Sequence, residues 1–214
     1  MAELVSVIIP TYNRFEHLLH AINSVKAQTY PNKEIIVIND ASTESRYYTE
    51  KVDGVLFINL PTNNRIKYNV LSAQGITRNY GIKIAEGEYV CFLDDDDYFL
   101  PDKLEKQVPK AKEYGMSCSN MLVGNGLYNK EKFYELYFKQ KLPTIFTQET
   151  IKNINYINNS SVIIKKSIID KIGYQKIIKY EDYDYWKRAL MHTSCYYFEE
   201  PLIYYDLGSE KNYI

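Results

Sequence analysis

The chain has 214 residues, which suits one α/β domain whose core removes about 70% of the unfolded surface from water. Lys and Arg number 26 against 27 Asp and Glu, a net charge of −1. That balance, with no basic cluster, excludes a protein built to coat nucleic acid. Three cysteines, Cys91, Cys118 and Cys195, are odd in number, widely spaced and without a CxxC pair. This argues against a disulfide framework or zinc site and fits a reducing compartment.

No basic n-region precedes a long apolar stretch, so no signal peptide is expected. No window approaches the ~20 apolar residues of a membrane span. A cytoplasmic protein is expected, at most peripheral at the inner face of a membrane. Tyr occurs 22 times. At that abundance most tyrosines are packing residues, with a minority free to stack on sugars.

Val5 to Ile9 is an apolar, β-branched run ended by Pro10, and it reads as a buried strand. Asn13 reads as a helix N-cap, with Glu16 completing a capping box. Phe15, Leu18, Leu19, Ile22 and Val25 then recur at helical spacing. His17 and His20 lie off most of that stripe and read as solvated residues. Lys33 to Asn39 is a second strand, ending at Asp40, and Val55 to Leu60 a third. Ser72 to Ala85 is helical, with Gly87 placed as its C-terminal cap. Tyr89 to Leu93 is a buried strand that runs into Asp94-Asp95-Asp96-Asp97. Strand and helix alternate here, the signature of a mainly parallel sheet flanked by helices. Ligands of such sheets bind beyond the carboxyl ends of the strands. Asp40 and the aspartate run both sit at such ends and can converge on one crevice.

The second half is less regular. Pro101 to Tyr114 is helical in pattern, kinked or shortened at Pro109. Met116 to Val123 reads as a strand, Lys130 to Lys139 as a helix and Ser161 to Lys165 as a strand. Ser167 to Ile172 is a short helix stopped by Gly173. Tyr183 to Met191 reads as a helix, and Tyr196 to Phe198 and Leu202 to Tyr205 as two strands. The whole of 1–214 reads as one domain, in two halves, 1–100 and 101–214.

Four consecutive aspartates after a buried strand repel one another, and each raises its neighbours' pKa unless a cation or donors compensate. A hard divalent ion is the natural compensator. A solvated acidic loop or a helix cap would also explain them. Glu181-Asp182 opens the pattern Glu-Asp-Tyr-Asp-Tyr-Trp-Lys-Arg, and by itself reads as a helix N-terminus favoured by the dipole.

Five pieces occur in order: Ser6-Val-Ile-Ile-Pro-Thr-Tyr-Asn-Arg14, Ile35-Ile-Val-Ile-Asn-Asp40, Thr77-Arg-Asn-Tyr-Gly-Ile82, Phe92-Leu-Asp-Asp-Asp-Asp97, and Glu181-Asp182 with Trp186 and Arg188. Together they resemble the inverting glycosyltransferases of family 2, which have the GT-A fold. The resemblance implies an α/β nucleotide-diphospho-sugar transferase fold with a mainly parallel central sheet and a smaller acceptor-side region. It implies that Pro10, Thr11, Tyr12 and Arg14 line the nucleotide pocket and that Asp40 accepts a hydrogen bond from the base. It places Arg78 on the donor side. Asp94 to Asp96 match the DxD motif, with Asp94 and Asp95 toward the donor and Asp96 the metal ligand for Mn²⁺ or Mg²⁺. Asp182 matches the catalytic base, and Glu181 is its less favoured neighbour.

The expected activity is a metal-dependent hexosyl transfer from a UDP-sugar to a glycan or lipid-linked glycan acceptor in the assembly of a bacterial surface polysaccharide. A homodimer is compatible with this reading. Many relatives carry a histidine after the final strand; here the text is Leu202-Ile-Tyr-Tyr-Asp-Leu-Gly-Ser209, so either Asp206 or Ser209 substitutes for it or the metal is held more loosely. Asn159 and Ser160 are either contacts near the sugar or loop filler. Two alternatives compete: a noncatalytic nucleotide-sugar-binding module, and a sugar-nucleotidyltransferase, which the absence of glycine in Pro10 to Arg14 disfavours.

Overall fold

The computed structural model describes residues 2–208. Strand β1 (Val5–Thr11) is buried at every position. It pairs in parallel with β2 (Lys33–Asn39) on one side and β4 (Tyr89–Phe92) on the other, and β2 pairs in parallel with β3 (Val55–Asn59). Alternate residues of β1 serve the two faces. Val5, Val7 and Ile9 pack with Phe15, Leu18 and Ile22 of α1 (Phe15–Lys26). Ile8 packs with Ile36 and with Ile82 of α4 (Gln74–Ile84). A strand covered on both faces must be apolar throughout, which is why Val5 to Ile9 reads as a continuous run.

Pro10 does not end β1. The amide of Leu93 donates to the Ile8 carbonyl, so that side of β1 faces β4. Backbone groups alternate sides along a strand, so Pro10 faces the same side, past the end of β4 at Phe92. The missing N–H of proline therefore costs no ladder bond, and β1 continues to Thr11 against Asn39.

Beyond β4 the sheet becomes mixed. β9 (Ile163–Lys165) runs antiparallel to β4 and to β6 (Gly115–Gly124). β10 (Ser194–Asp206) is parallel to β6 and antiparallel to β5 (Tyr98–Phe99). The full order is β3-β2-β1-β4-β9-β6-β10-β5, with β7 (Glu135–Leu136) on β6 and β8 (Ile145–Phe146) on β10. The remaining helices are α2 (Arg46–Thr49), α3 (Asn64–Tyr68), α5 (Lys103–Tyr114), α6 (Lys166–Ile172) and α7 (Glu181–Ala189). Among the described residues none is long and apolar enough to cross a membrane.

Several expectations are corrected. Asn13 is not the N-cap of α1; Arg14 holds that position, without a side-chain cap. Asn13 is left-handed (φ 53), and its Oδ1 accepts from the backbone amide of Thr43 at 2.7 Å, joining two loops instead. Glu16, freed from a capping box, pairs with Arg46. Gly87 does not cap α4, which ends at Ala85 in extended geometry. Its role is close approach: a Cβ there would lie 2.7 Å from the Ser6 backbone nitrogen and 2.8 Å from the Leu4 carbonyl oxygen. Pro109 does not shorten α5, which runs through it to Tyr114. Lys130 to Lys139 forms no helix, only turns and β7. The segment is largely exposed, Phe133 at 92%, so it has no buried stripe to stabilise a helix. The two strands expected at Tyr196–Phe198 and Leu202–Tyr205 are one, β10, with register shifts around Pro201. His20 is not solvated: its ring lies 4.9 Å from that of Tyr98 and its Nε2 is buried.

Candidate active site

The carboxyl ends of β1, β2 and β4 open onto a cavity of about 820 Å³. Pro10, Thr11, Tyr12, Arg14, Asp40, Asp94, Asp95 and Asp96 line it, joined by His17, which the sequence suggested was merely solvated, and by residues that the sequence did not single out, among them Asn63, Arg65 and Tyr205. Residues 54 positions apart meet because β1 separates β2 from β4 and all three point the same way.

Asp40 is nearly buried and held by a neighbouring turn. Its Oδ1 accepts the Asn64 amide at 2.9 Å and its Oδ2 the Asn63 side chain at 3.2 Å. Burial raises its pKa against the pull of the Asn64 amide, Arg65 and Thr77. Thr11 donates to Asp95 Oδ2 at 2.7 Å and pairs with the Tyr47 hydroxyl, which also accepts the Arg14 amide at 2.8 Å. Tyr47 therefore fixes the loop that carries Arg14. The Arg14 guanidinium contacts Asp96 and lies 3.5 Å from Asp95.

The four aspartates have four different settings. Asp94 accepts from Arg78 Nη2. Burial and the charge of Asp96 push Asp95 up to about 7, against Arg14 and Thr11. Burial and Asp94 raise Asp96, again against Arg14. Asp97 turns away from the cavity and is 1% exposed. It accepts the Ser160 hydroxyl and, at 3.0 Å, the Asp206 amide. Ser160 Oγ in turn accepts the Asp94 amide at 3.1 Å. Ser160 is thus neither loop filler nor a cavity contact; it fastens the aspartate loop to the second half of the chain.

Arg78 and Asp182 do not line the cavity themselves. Arg78 is 2% exposed, behind Asp94, with Nη1 3.8 Å from Glu181 Oε1. Burial would lower its pKa, but Asp94, Glu181 and Asp182 outweigh that and raise it. Asp182 lies in the first turn of α7. Its Oδ2 accepts Asn155 Nδ2 at 3.0 Å and its Oδ1 the Tyr183 amide at 2.7 Å. Burial raises the Asp182 carboxyl, and the Tyr183 amide, Arg78 and Asn155 hold it back. Asn155 is a partner the sequence did not announce, since it lies in an irregular loop with no periodicity.

Asp206 reaches the cavity wall, its Oδ1 accepting the amides of Gly126 at 2.9 Å and Gly208 at 2.8 Å. Ser209, its alternative in place of the histidine, lies outside the described residues. Among the described residues no three His, Cys, Asp or Glu side chains converge as a metal cage. Asp94, Asp95 and Asp96, buried or half-buried on one wall with one guanidinium among them, and with burial raising Asp95 and Asp96, fit an ion held by one or two carboxylates. The remaining positions of such an ion go to water or phosphate oxygens.

The chain matches Staphylococcus aureus TarS, solved with UDP-GlcNAc, at a TM-score of 0.73 and 23% identity, over 97% of this chain and 59% of that one. A mixed sheet with a carboxylate-lined cavity beyond its parallel strands is the GT-A fold of the nucleotide-sugar transferases. The family model for glycosyl transferase family 2 matches residues 6–173, and the chain belongs to that family. It is 34% identical to a glycosyltransferase of Rickettsia typhi over 94% of this chain. It is 30% identical to WfaP of Escherichia coli, a UDP-Glc:alpha-D-GlcNAc-diphosphoundecaprenol beta-1,3-glucosyltransferase, over 88% of this chain and 70% of that one. The chain spans 63% of the length of the Rickettsia relative.

Proposed function

We propose that the protein transfers a hexose from a UDP-sugar to a hydroxyl of a glycan or lipid-linked glycan, with inversion, in polysaccharide assembly. The observation that carries this reading is Arg78. It joins Asp94 at the cavity wall to Glu181 at the start of α7, and so couples the donor cavity to Asp182. WfaP and the TarS complex support a uridine donor for this chain by likeness.

In this reading Asp40 meets the base, and Thr11, Tyr12 and Arg14 close around the nucleotide. Asp94 and Asp95 face the donor. Asp96, with Asp94 beside it, would hold Mn²⁺ or Mg²⁺, which supplies charge neutralisation of the diphosphate when bound. Asp182 takes the proton of the acceptor hydroxyl as its oxygen bonds to the anomeric carbon. The bond from that carbon to the diphosphate oxygen breaks, and UDP leaves. Asn155 holds one Asp182 oxygen, which orients the carboxylate for that transfer. A noncatalytic binder would have no use for a carboxylate so oriented.

Nucleotide release from a panel of UDP-, GDP- and other nucleotide sugars tests the proposal, measured with Mn²⁺, Mg²⁺ or EDTA and a glycan acceptor mixture. The expected result is release of UDP from one donor, lost in EDTA. Release of pyrophosphate would overturn it, as would donor binding by calorimetry without any release.

A further inference from the structure

Two segments meet at α4 beside the cavity. Residues 65–85, with α3 and α4, contain no acidic residue and, besides the buried Arg78, three Lys or Arg: Arg65, Lys67 and Lys83. Residues 171–180 contain no acidic residue and three Lys. The chain as a whole has a net charge of −1, so this concentration of one sign is local.

The segments are joined through α4. The Asn79 side chain donates to the Gln175 carbonyl at 2.8 Å and accepts the Gln175 amide at 2.9 Å. One residue on, the Tyr80 hydroxyl meets Lys67 Nζ at 3.4 Å. Apolar side chains stand out from both: Leu71 is 96% exposed, Ile66 76%, Ile177 50% and Ile178 47%. Each segment also carries a lysine over a neighbouring tyrosine ring, Lys67 over Tyr68 at 5.0 Å and Lys179 over Tyr180 at 4.8 Å. Lys176 is partly neutralised by Asp184 at 3.3 Å, whereas no carboxylate pairs with Lys67 or Lys179 among the described contacts.

Exposed aliphatic tips beside tyrosine and lysine match the headgroup zone of a bilayer. Aliphatic groups enter the acyl boundary there, tyrosine sits at the polar edge, and lysine meets anionic lipid. We propose that this face docks the protein on an anionic lipid bilayer. The cavity opens next to it, since Arg65, Ala73 and Gln74 line the cavity wall. Docking here would present the cavity mouth at the membrane, where a lipid-linked acceptor would lie; that last step alone rests on the transferase reading.

Co-sedimentation with phosphatidylcholine vesicles, with and without phosphatidylglycerol, at low and high salt, tests the docking with no nucleotide sugar present. Binding should be on the order of 10-fold or more tighter with phosphatidylglycerol and should weaken with salt. The pair Lys67→Glu and Lys179→Glu should lower it at least about 10-fold, at roughly 1 kcal/mol per lysine charge. The pair Ile66→Ser and Leu71→Ser should lower it as well, with thermal unfolding and UDP release unchanged for both pairs. Binding indifferent to phosphatidylglycerol, or variants that bind like wild type, would overturn the proposal. So would a dimer in sedimentation equilibrium that Leu71→Ser dissociates, without vesicle binding. Loss of nucleotide release with vesicle binding intact would count against the transferase reading only.

Discussion

Asp182 owes its setting to two short contacts, the Tyr183 amide on one oxygen and the Asn155 side chain on the other. The start of α7 adds a favourable dipole, and Glu181 and Asp184 share that first turn. Replacing it with asparagine keeps the shape and removes the base. Asp182→Asn should leave donor affinity in calorimetry unchanged and cut transfer by a factor on the order of 10² or more. Transfer at the wild-type rate would assign the base to another group, with Glu181 the first to try.

At the scale of elements, one hydroxyl joins three pieces. Ser160, in the 3-10 turn Asn159–Ser161, accepts the Asp94 amide and donates to Asp97, whose other oxygen takes the amide of Asp206 at the end of β10. Ser160 and Asp97 are both buried, so a lost partner is not replaced by solvent. Ser160→Ala should destabilise the fold by about 1–3 kcal/mol in urea denaturation. It should also weaken donor binding, because the Asp94 to Asp96 loop loses its tether. A variant as stable as wild type would mean that the loop is held from its other side, by Thr11 and Arg14.

At the scale of the whole molecule, Lys103 is a charge that folding takes out of water. Lys103 is 0% exposed, in α5, with Gln107 and the Ser161 carbonyl as its polar partners and Phe99 beneath it. Burial lowers its pKa from 10.5 to about 8, with Cys91 and Cys118 pulling weakly the other way. Between about pH 8 and 10.5 the unfolded chain holds the proton that the folded chain has released. Stability from this residue therefore rises with pH across that window, by a few kcal/mol at most. Buried Cys91, raised from 9.0 to about 11, has the opposite slope over an overlapping range. The measurement is thus the difference between wild type and Lys103→Met: it should narrow or reverse in favour of wild type as pH rises from 7.5 to 10. A difference that is flat with pH would mean that Lys103 stays charged in the folded protein.

Local pattern alone was enough for the parallel strands whose ends carry the aspartates. β1, β2 and β4 are buried on both faces, so their apolar runs could not be mistaken, and β2 has the bounds its sequence implies, Lys33–Asn39. The chemistry of the strand ends was legible for the same reason: Asp40 and Asp94 to Asp96 follow directly on those runs. Tertiary structure decided what depends on distant partners. Nothing near Lys130 to Lys139 in the chain says that its apolar residues find no helix-packing surface, or that Phe198 and Leu202 share one bulged strand against β6. Nothing near Asp182 says that Asn155 orients it, or near Asp97 that Ser160 and Asp206 turn it away from its three neighbours. A buried strand is written in its own side chains because solvent exclusion acts on each residue, whereas a hydrogen bond across 27 or 63 positions exists only after the chain has closed.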